Sequence, residues 1–381
     1  MSTADYDVLS ARAEILMRLG KTLTNCHRYE EAQDSLQQAL KLFETLQDRS
    51  GEIQTYYQLG NAARHSREFE LAQTYFQKTL ELENSREYRD GGQASTHHML
   101  GMVAHDLREF ELAKKHYQQA LDIFSEFNNR QAQADTFHQL GMVAQDLREF
   151  ALARTHYQQA LDIFSEFNNR QAKSDTYHQL GMVAQKLDDF ELAQSYYQEA
   201  LDILVEFDDQ YNQASTYHQL GSLAEDLHEL ELAKAHYQKA LDISIEFNDR
   251  YGQAHTYHQL GTVERELGEF ELAQSHYQQA LNIYSEFNNR YSQASTYSQL
   301  GQLAKALEDF EQATIYQLQN LQISIEFHDQ LRTDLAVYSL ADLYQKTQNQ
   351  DVVQQVATLL NQSTQNIQQR FNNLNETDDD E

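Results

Sequence analysis

The sequence predicts an all-α solenoid: about nine helical hairpins stacked side by side, closed at the C-terminal end by a capping helix. Three observations lead there. The 381 residues include no proline, no tryptophan and only 13 glycines, too little turn punctuation for a β-rich or α/β protein of this length. Apolar residues make up 40% and mean hydropathy is −0.73, too polar for one large compact core, whereas 11% aromatic content is too high for a disordered chain. Third, a Leu-Gly pair recurs in register at Gly20, Gly60, Gly101, Gly141, Gly181, Gly221, Gly261 and Gly301, with Ala341 in the ninth place. Every step is 40 residues except one of 41. A period of that length is the signature of a repeat architecture.

Taken in order, the units carry their own boundaries. The extra residue falls in ENSREYRDGG, residues 83–92, where Gly91 and Gly92 mark a looser loop. Units three and four are near copies, since Val103–Ala132 and Val143–Ala172 differ at only a few sites, which implies recent duplication or a designed array. In the fourth unit Phe137, Leu140 and Ala144 fall at i, i+3 and i+7, the stripe of an amphipathic helix. Asp146–Arg148 interrupt it, and a second stripe follows through Phe150, Ala153, Tyr157, Ala160, Leu161 and Phe164. Asn168-Asn169 close the unit, asparagine being a frequent left-handed helix end. Small residues (Gly141, Ala153, Ala160) stand where two helices approach closely. One hairpin cannot bury its own stripe; stacked neighbours can. Unit eight departs, with Gln317 and Asn320 where Tyr and Ala are expected. The ninth keeps Tyr338 and Leu340 and runs on through Val352, Val353, Val356, Leu359 and Leu360, a helix suited to cover the last apolar layer.

These residues resemble the tetratricopeptide repeat, which sets an aromatic, Leu-Gly, Ala, Phe or Tyr, and Ala at fixed offsets. Here they are Tyr177, Leu180-Gly181, Ala193, Tyr197 and Ala200, then Tyr217, Leu220-Gly221, Ala233, Tyr237 and Ala240. The resemblance runs from about residue 10 to 345. Two departures stand out: the family's usual unit of about 34 residues is stretched to 40, and Ser165 and its equivalents stand where proline often falls. The longer unit is similar to repeats of bacterial signalling proteins. The resemblance implies a right-handed superhelix with a concave groove for ligand peptides, over residues 1–371. Residues 372–381, ending NNLNETDDDE, are expected to form a disordered acidic tail.

Charge narrows the partners. Lys plus Arg total 29 against 59 acidic residues, a net charge of −30 with histidine neutral. The tail holds five of these charges, leaving −30 + 5 = −25 on the body. Such a surface disfavours nucleic acid and anionic membranes and favours a partner with a basic segment. The lone Cys26 fits a reducing compartment, and no apolar run of signal-peptide or membrane-spanning length occurs, so a cytoplasmic protein is expected.

Motifs for chemistry fail on spacing. Gly20-Lys21-Thr22 resembles the end of a phosphate-binding loop, but Ile15 stands where its first glycine is needed. His228-Glu229 opens like a zinc-protease motif whose second histidine would fall at Leu232. Asn375-Glu376-Thr377 is a glycosylation sequon without a secretion context, and Cys26 has only His27 beside it. No catalytic residues, metal ligands or cofactor are assigned, and an enzyme is not expected.

The sixteen histidines fall in columns. His98, His138, His178, His218 and His258 recur in the first helix, bracketed by Tyr57 and Ser298; His116, His156, His236 and His276 recur in the second, with Tyr196 in the gap. Repeats stacked about 10 Å apart hold one column too widely spaced for one metal ion. In the first helix Asp135, His138, Met142 and Gln145 form a stripe offset from the core stripe. The resemblance places such positions in the groove, which then reads His98, Met102, His105; His138, Met142, Gln145; His178, Met182, Gln185; His218, Ser222, Glu225; His258, Thr262, Arg265. Histidine and glutamine suit hydrogen bonding to an extended peptide, and methionine adapts to irregular apolar side chains. Two readings of this column stand: a binding surface, or half-buried rings that cap neighbouring helices. The second-helix column reads as filler. Arg49, Arg130, Arg170, Arg250 and Arg290 close the turns, either on helix C-terminal carbonyls or paired with Glu126, Glu166 and equivalents.

The function expected is therefore a protein-interaction scaffold, binding a peptide or partner protein in the groove. The alternative is a regulatory sensor that switches an associated effector such as a protease, an NTPase or a transcription factor. A pH-sensing variant follows from the histidines, whose full protonation would move the charge from −30 to −14.

Overall fold

The computed structural model describes residues 3–85 and 91–376. Among them are nineteen helices and no strand: α1 Thr3–Asn25, α2 Tyr29–Leu46, α3 Arg49–His65, α4 Phe69–Asn84, α5 Gly92–Asp106, α6 Phe110–Glu126, α7 Arg130–Asp146, α8 Phe150–Glu166, α9 Arg170–Lys186, α10 Phe190–Glu206, α11 Gln210–Asp226, α12 Leu230–Glu246, α13 Arg250–Glu266, α14 Phe270–Glu286, α15 Arg290–Ala306, α16 Phe310–Glu326, α17 Gln330–Thr347, α18 Gln350–Leu360 and α19 Thr364–Glu376. No helix among the described residues is long and apolar enough to cross a membrane. The chain packs as two compact units, Met1–Ile203 and Leu204–Glu381.

In the first unit α1/α2, α3/α4, α5/α6 and α7/α8 pair as hairpins, and α2, α4, α6 and α8 pack on α3, α5, α7 and α9 respectively. The apolar layer between α7/α8 and α9 shows how. Ala144, Ala153, Tyr157, Leu161, Leu180 and Val183 are buried together, with Phe150, Tyr177 and Tyr196 against them. The Leu-Gly glycine is explained by its neighbour: a Cβ on Gly141 would lie 2.5 Å from Cε1 of Tyr157. The Tyr157 ring occupies the volume that any larger residue at 141 would need.

The turns follow from short-range chemistry. Inside the α7–α8 hairpin Arg148 takes φ of 60°, and Glu149 N–H donates to the Ala144 carbonyl at 2.8 Å, closing the helix end. Between hairpins the Asn-Asn pair divides two tasks. Asn168 adopts φ of 51°, and Asn169 caps α9, its side chain accepting from Ala172 N–H at 3.2 Å. Helix C-terminal carbonyls are met by a buried glutamine: Gln133 Nε2 donates to the Phe124 carbonyl at 3.2 Å. The arginines therefore do something else. Arg130 pairs with Glu166 at 2.8 Å, one repeat onward, and Arg49 donates to Ser85.

The second unit repeats the plan through α11/α12, α13/α14 and α15/α16. Arg250 pairs with Glu286 at 2.8 Å and Arg290 with Glu326 at 3.1 Å, again one repeat ahead. Gln317 and Asn320, in the places of Tyr and Ala, are buried and hydrogen-bonded: Gln317 Nε2 donates to the Ser298 carbonyl at 3.2 Å and Asn320 Nδ2 to Gln317 Oε1 at 3.3 Å. Two helices close this unit where one was expected. Val352, Val353 and Val356 of α18 join Ile367 and Phe371 of α19 over Val337, Leu340 and Tyr344 of α17. Buried Ile367 and Phe371 anchor α19, which continues to Glu376 and so carries helix into the segment 372–381 expected to be disordered. Residues 377–381 lie outside the described residues, as do 86–90 of the expected loop.

Candidate recognition face on the first helices

The first-column histidines share one environment. Each lies half-buried beside the core tyrosine of its own hairpin: His98 on Tyr117, His138 on Tyr157, His178 on Tyr197, His218 on Tyr237 and His258 on Tyr277, with centroids 5.1–5.9 Å apart. Nδ1 of His98 meets Thr136 Oγ1 at 2.9 Å, Nδ1 of His138 meets Thr176 Oγ1 at 3.1 Å, and Nδ1 of His258 meets Thr296 Oγ1 at 3.0 Å, each on the next repeat. The threonine fixes the tautomer. Thr136 Oγ1 donates its hydrogen to the Ala132 carbonyl at 2.7 Å and Thr176 to the Ala172 carbonyl at 2.7 Å, so these oxygens accept from the imidazole. Nδ1 therefore carries the proton, and Nε2 is left as a bare acceptor. Burial pushes His98, His138, His178 and His258 down to about 4 and His218 to about 3, with the Arg64 charge adding at His98 and His255 adding at His218. At neutral pH the rings are uncharged.

In the first unit a cleft of about 360 Å³ opens on this face, lined by His98, Asp135, His138, Gln139 and Asp175 over walls of Phe164 and Ala172. Three residues singled out from the sequence thus come together: His98, Asp135 and His138. Burial in the cleft pushes the Asp135 carboxyl up. Asp175 and Gln139 escaped the sequence reading. Asp175 is the Asp135 of the next repeat, so carrying that position forward one unit would have found it. A second cleft of about 470 Å³ lies on the first repeats, lined by Met17, Lys21, Tyr57 and Glu83 among others. Met17 and Tyr57 hold there the place of the histidines.

The remaining expected groove residues have protein partners. Met102 and Met142 pack half-buried against the apolar layers, and Met182 is half-buried. Gln145 accepts from the Tyr157 hydroxyl at 3.1 Å, Gln185 from that of Tyr197 at 2.9 Å, and Glu225 from that of Tyr237. His105 meets Asp146 at 2.6 Å and Arg265 lies 3.4 Å from Glu266. In the second unit His255 Nδ1 lies 3.0 Å from His218 Nε2. The second-helix column stacks on first-helix aromatics, His156 on Phe137, His236 on Tyr217 and His276 on Tyr257, which is the packing role expected of it. His276 also meets the buried Glu264 at 2.7 Å.

Paired helices in 40-residue register, a glycine against a tyrosine in five of the hairpins, and a polar column on the first helices define a helical-hairpin repeat protein. The tetratricopeptide repeat profile matches residues 11–85, 51–126, 92–166, 132–206 and 212–286, and a second such profile matches 288–316. The chain belongs to the tetratricopeptide repeat family. No curated protein matches the sequence. Among solved structures, the apo form of the quorum sensor NprR from B. thuringiensis is similar at TM-score 0.61 and 12% identity, over 93% of this chain and 99% of that one. Apo RapI is similar at TM-score 0.57 and 16% identity, over 73% and 99%. A Rap protein complexed with Competence and Sporulation Factor is similar at TM-score 0.55 and 13% identity, over 91% and 99%. At these identities the likeness is one of fold.

Proposed function

We propose that the chain is a non-catalytic interaction scaffold that seats an extended peptide segment of a partner along the first-helix face of its first unit. One observation carries this reading: His98, Asp135 and His138, read from the sequence as groove positions, line one open cleft. The family supports it, since tetratricopeptide repeats are binding modules. The similar Rap structure holds Competence and Sporulation Factor and NprR is a quorum sensor, which favours a second reading as a regulatory sensor whose ligand alters an effector's activity. The acidic body argues for a partner with a basic segment and against nucleic acid or an anionic membrane, and the single Cys26 favours a reducing compartment such as the cytoplasm.

The test is selection of binders from a displayed random-peptide library on the full chain, followed by hydrogen-exchange mapping. Selected peptides are expected to protect α5, α7 and α9, and their affinity to fall as salt rises. Protection confined to the second helices, or affinity indifferent to salt, sinks the reading or its charge component respectively. The sensor reading requires, in addition, a change in solution scattering on peptide addition.

A further inference from the structure

One repeat of the second unit seats an arginine at the hairpin edge, and an earlier repeat keeps the seat without the arginine. Arg332, in the first turn of α17, lays its guanidinium over the Tyr291 ring, 4.4 Å from the centroid. Its Nη1 donates to Ser295 Oγ at 2.8 Å and to the Tyr291 carbonyl at 3.3 Å, and its Nε lies 3.5 Å from Asp329 Oδ2. Two repeats earlier, Tyr211, Ser215 and Asp249 hold the places of Tyr291, Ser295 and Asp329, but the place of Arg332 is Gly252. The local frame is the same. Asp249 accepts from Gly252 N–H at 2.9 Å, as Asp329 does from Arg332 N–H at 3.0 Å. Tyr211 stands edge-on to Phe247 with centroids 6.3 Å apart, as Tyr291 does to Phe327 at 5.8 Å. Tyr211 is 55% exposed, and Gly252 brings no side chain over it. Oδ2 of Asp249 stands in the space that a Cβ on residue 252 would take, so the carboxylate reaches into the room left by the missing side chain. The intervening repeat has lost the seat: at Tyr251 the serine is His255 and the carboxylate is Asn289, whose side chain donates to the Tyr251 hydroxyl at 3.2 Å.

We infer that Tyr211, Ser215 and Asp249 form a docking site for an arginine side chain of a partner protein, which lies over the Tyr211 ring as Arg332 lies over Tyr291. The site belongs to the second unit and does not depend on a peptide in the first-unit cleft. A guanidinium meets all three groups at once: its face stacks on the ring while its edge donates to the hydroxyl and the carboxylate. An ammonium has no flat face and loses the stack. Charge selects the source. Free arginine brings its own carboxylate toward Asp249 on a chain of net charge −30, whereas an arginine within a polypeptide presents the cation alone.

The probes are acetyl-Ala-Ala-Arg-Ala-Ala-amide, its lysine and citrulline counterparts, and free arginine, titrated into full-length protein carrying ¹³C in its tyrosine rings. The Tyr211 and Tyr291 signals are identified by their loss in Tyr211→Phe and Tyr291→Phe. The arginine peptide is expected to shift the Tyr211 signal saturably and to leave Tyr291, whose seat is filled, unmoved. Lysine peptide and free arginine should each bind about tenfold more weakly, and uncharged citrulline more weakly still. Asp249→Asn keeps a capping side chain and is expected to weaken the arginine peptide about tenfold, while Asp242→Asn, which removes an exposed carboxylate bonded to Gln238, changes nothing. Arg332→Ser empties the other seat and should let the same peptide shift Tyr291. Lysine or citrulline binding as well as arginine overturns the guanidinium assignment, and free arginine binding as well as the peptide overturns the polypeptide source. A Tyr211 signal that the arginine peptide leaves unmoved overturns the site itself, most directly where the emptied Tyr291 seat responds.

Discussion

A single histidine of the first column shows what folding does to a titratable side chain. His138 surrenders Nδ1–H to Thr176, lies against Tyr157 and shares its cleft with Asp135 and Asp175, yet burial outweighs these carboxylates and holds the ring down at about 4. In the unfolded chain the same ring titrates near ~6.5. Between these values the unfolded state binds more protons, so stability is intact above the unfolded value and is lost as pH falls toward 4. Eleven of the sixteen histidines are held down in this way, so the folded protein takes up its histidine protons at lower pH than the unfolded chain does. The raised carboxyls of Asp135 and Glu225 work in the opposite sense but are two against eleven. Urea midpoints are therefore expected to drop from pH 7 to pH 5, and His138→Gln to shrink the drop. Equal midpoints at the two pH values would show that the folded rings titrate freely.

At the scale of an element, two identical residues carry opposite duties at one boundary. Asn168, at φ of 51°, needs left-handed backbone, whereas Asn169 needs a short side-chain acceptor for Ala172 N–H. Asn169→Ala is expected to cost about 1 kcal/mol, and Asn168→Gly to stay within about 0.5 kcal/mol of the parent because glycine adopts that φ freely. Chemical denaturation of the two variants measures the contrast, and equal losses would remove the division of labour. Much of this was legible in the chain. The helix stripes and the Asn-Asn boundary are local, set by spacings of three to seven residues or by one dipeptide, and the Leu-Gly register is a direct recurrence along the chain. What stayed hidden depends on which residues 36 to 38 positions apart come to face each other: Arg130 with Glu166, and His98 with Thr136. The signal was present, since threonine stands two places before every first-column histidine, but its meaning required the offset between neighbouring hairpins. The groove was half legible for the same reason. Its positions follow from helix periodicity, whereas the turning of Gln145 toward Tyr157 is a packing outcome.

Over the molecule as a whole, near-identical repeats and specialised ends make opposite predictions about deletion. α6 and α8 read FELAKKHYQQALDIFSE and FALARTHYQQALDIFSE, so α6 can take the place of α8 against α9 with the same buried alanines, tyrosine and leucine. Removing residues 130–169 joins Asn129 to Arg170 and restores the Asn-Asn-Arg boundary at the junction. Each repeat is stabilised through its nearest neighbours, so this deletion is expected to leave a folded, cooperatively melting protein. Removing 350–381 is the opposite case. It strips Val352, Val353, Val356, Ile367 and Phe371 from Val337, Leu340 and Tyr344, exposing an apolar layer that no other repeat can cover. At roughly 1.5–3 kcal/mol for each large buried side chain, the loss exceeds what a single hairpin recovers, so that variant is expected to melt earlier and to associate on gel filtration. Circular dichroism melts and elution volumes of the two variants decide the matter: a repeat deletion that unfolds as fully as the cap deletion would mean that the layers, despite their sequences, are not interchangeable.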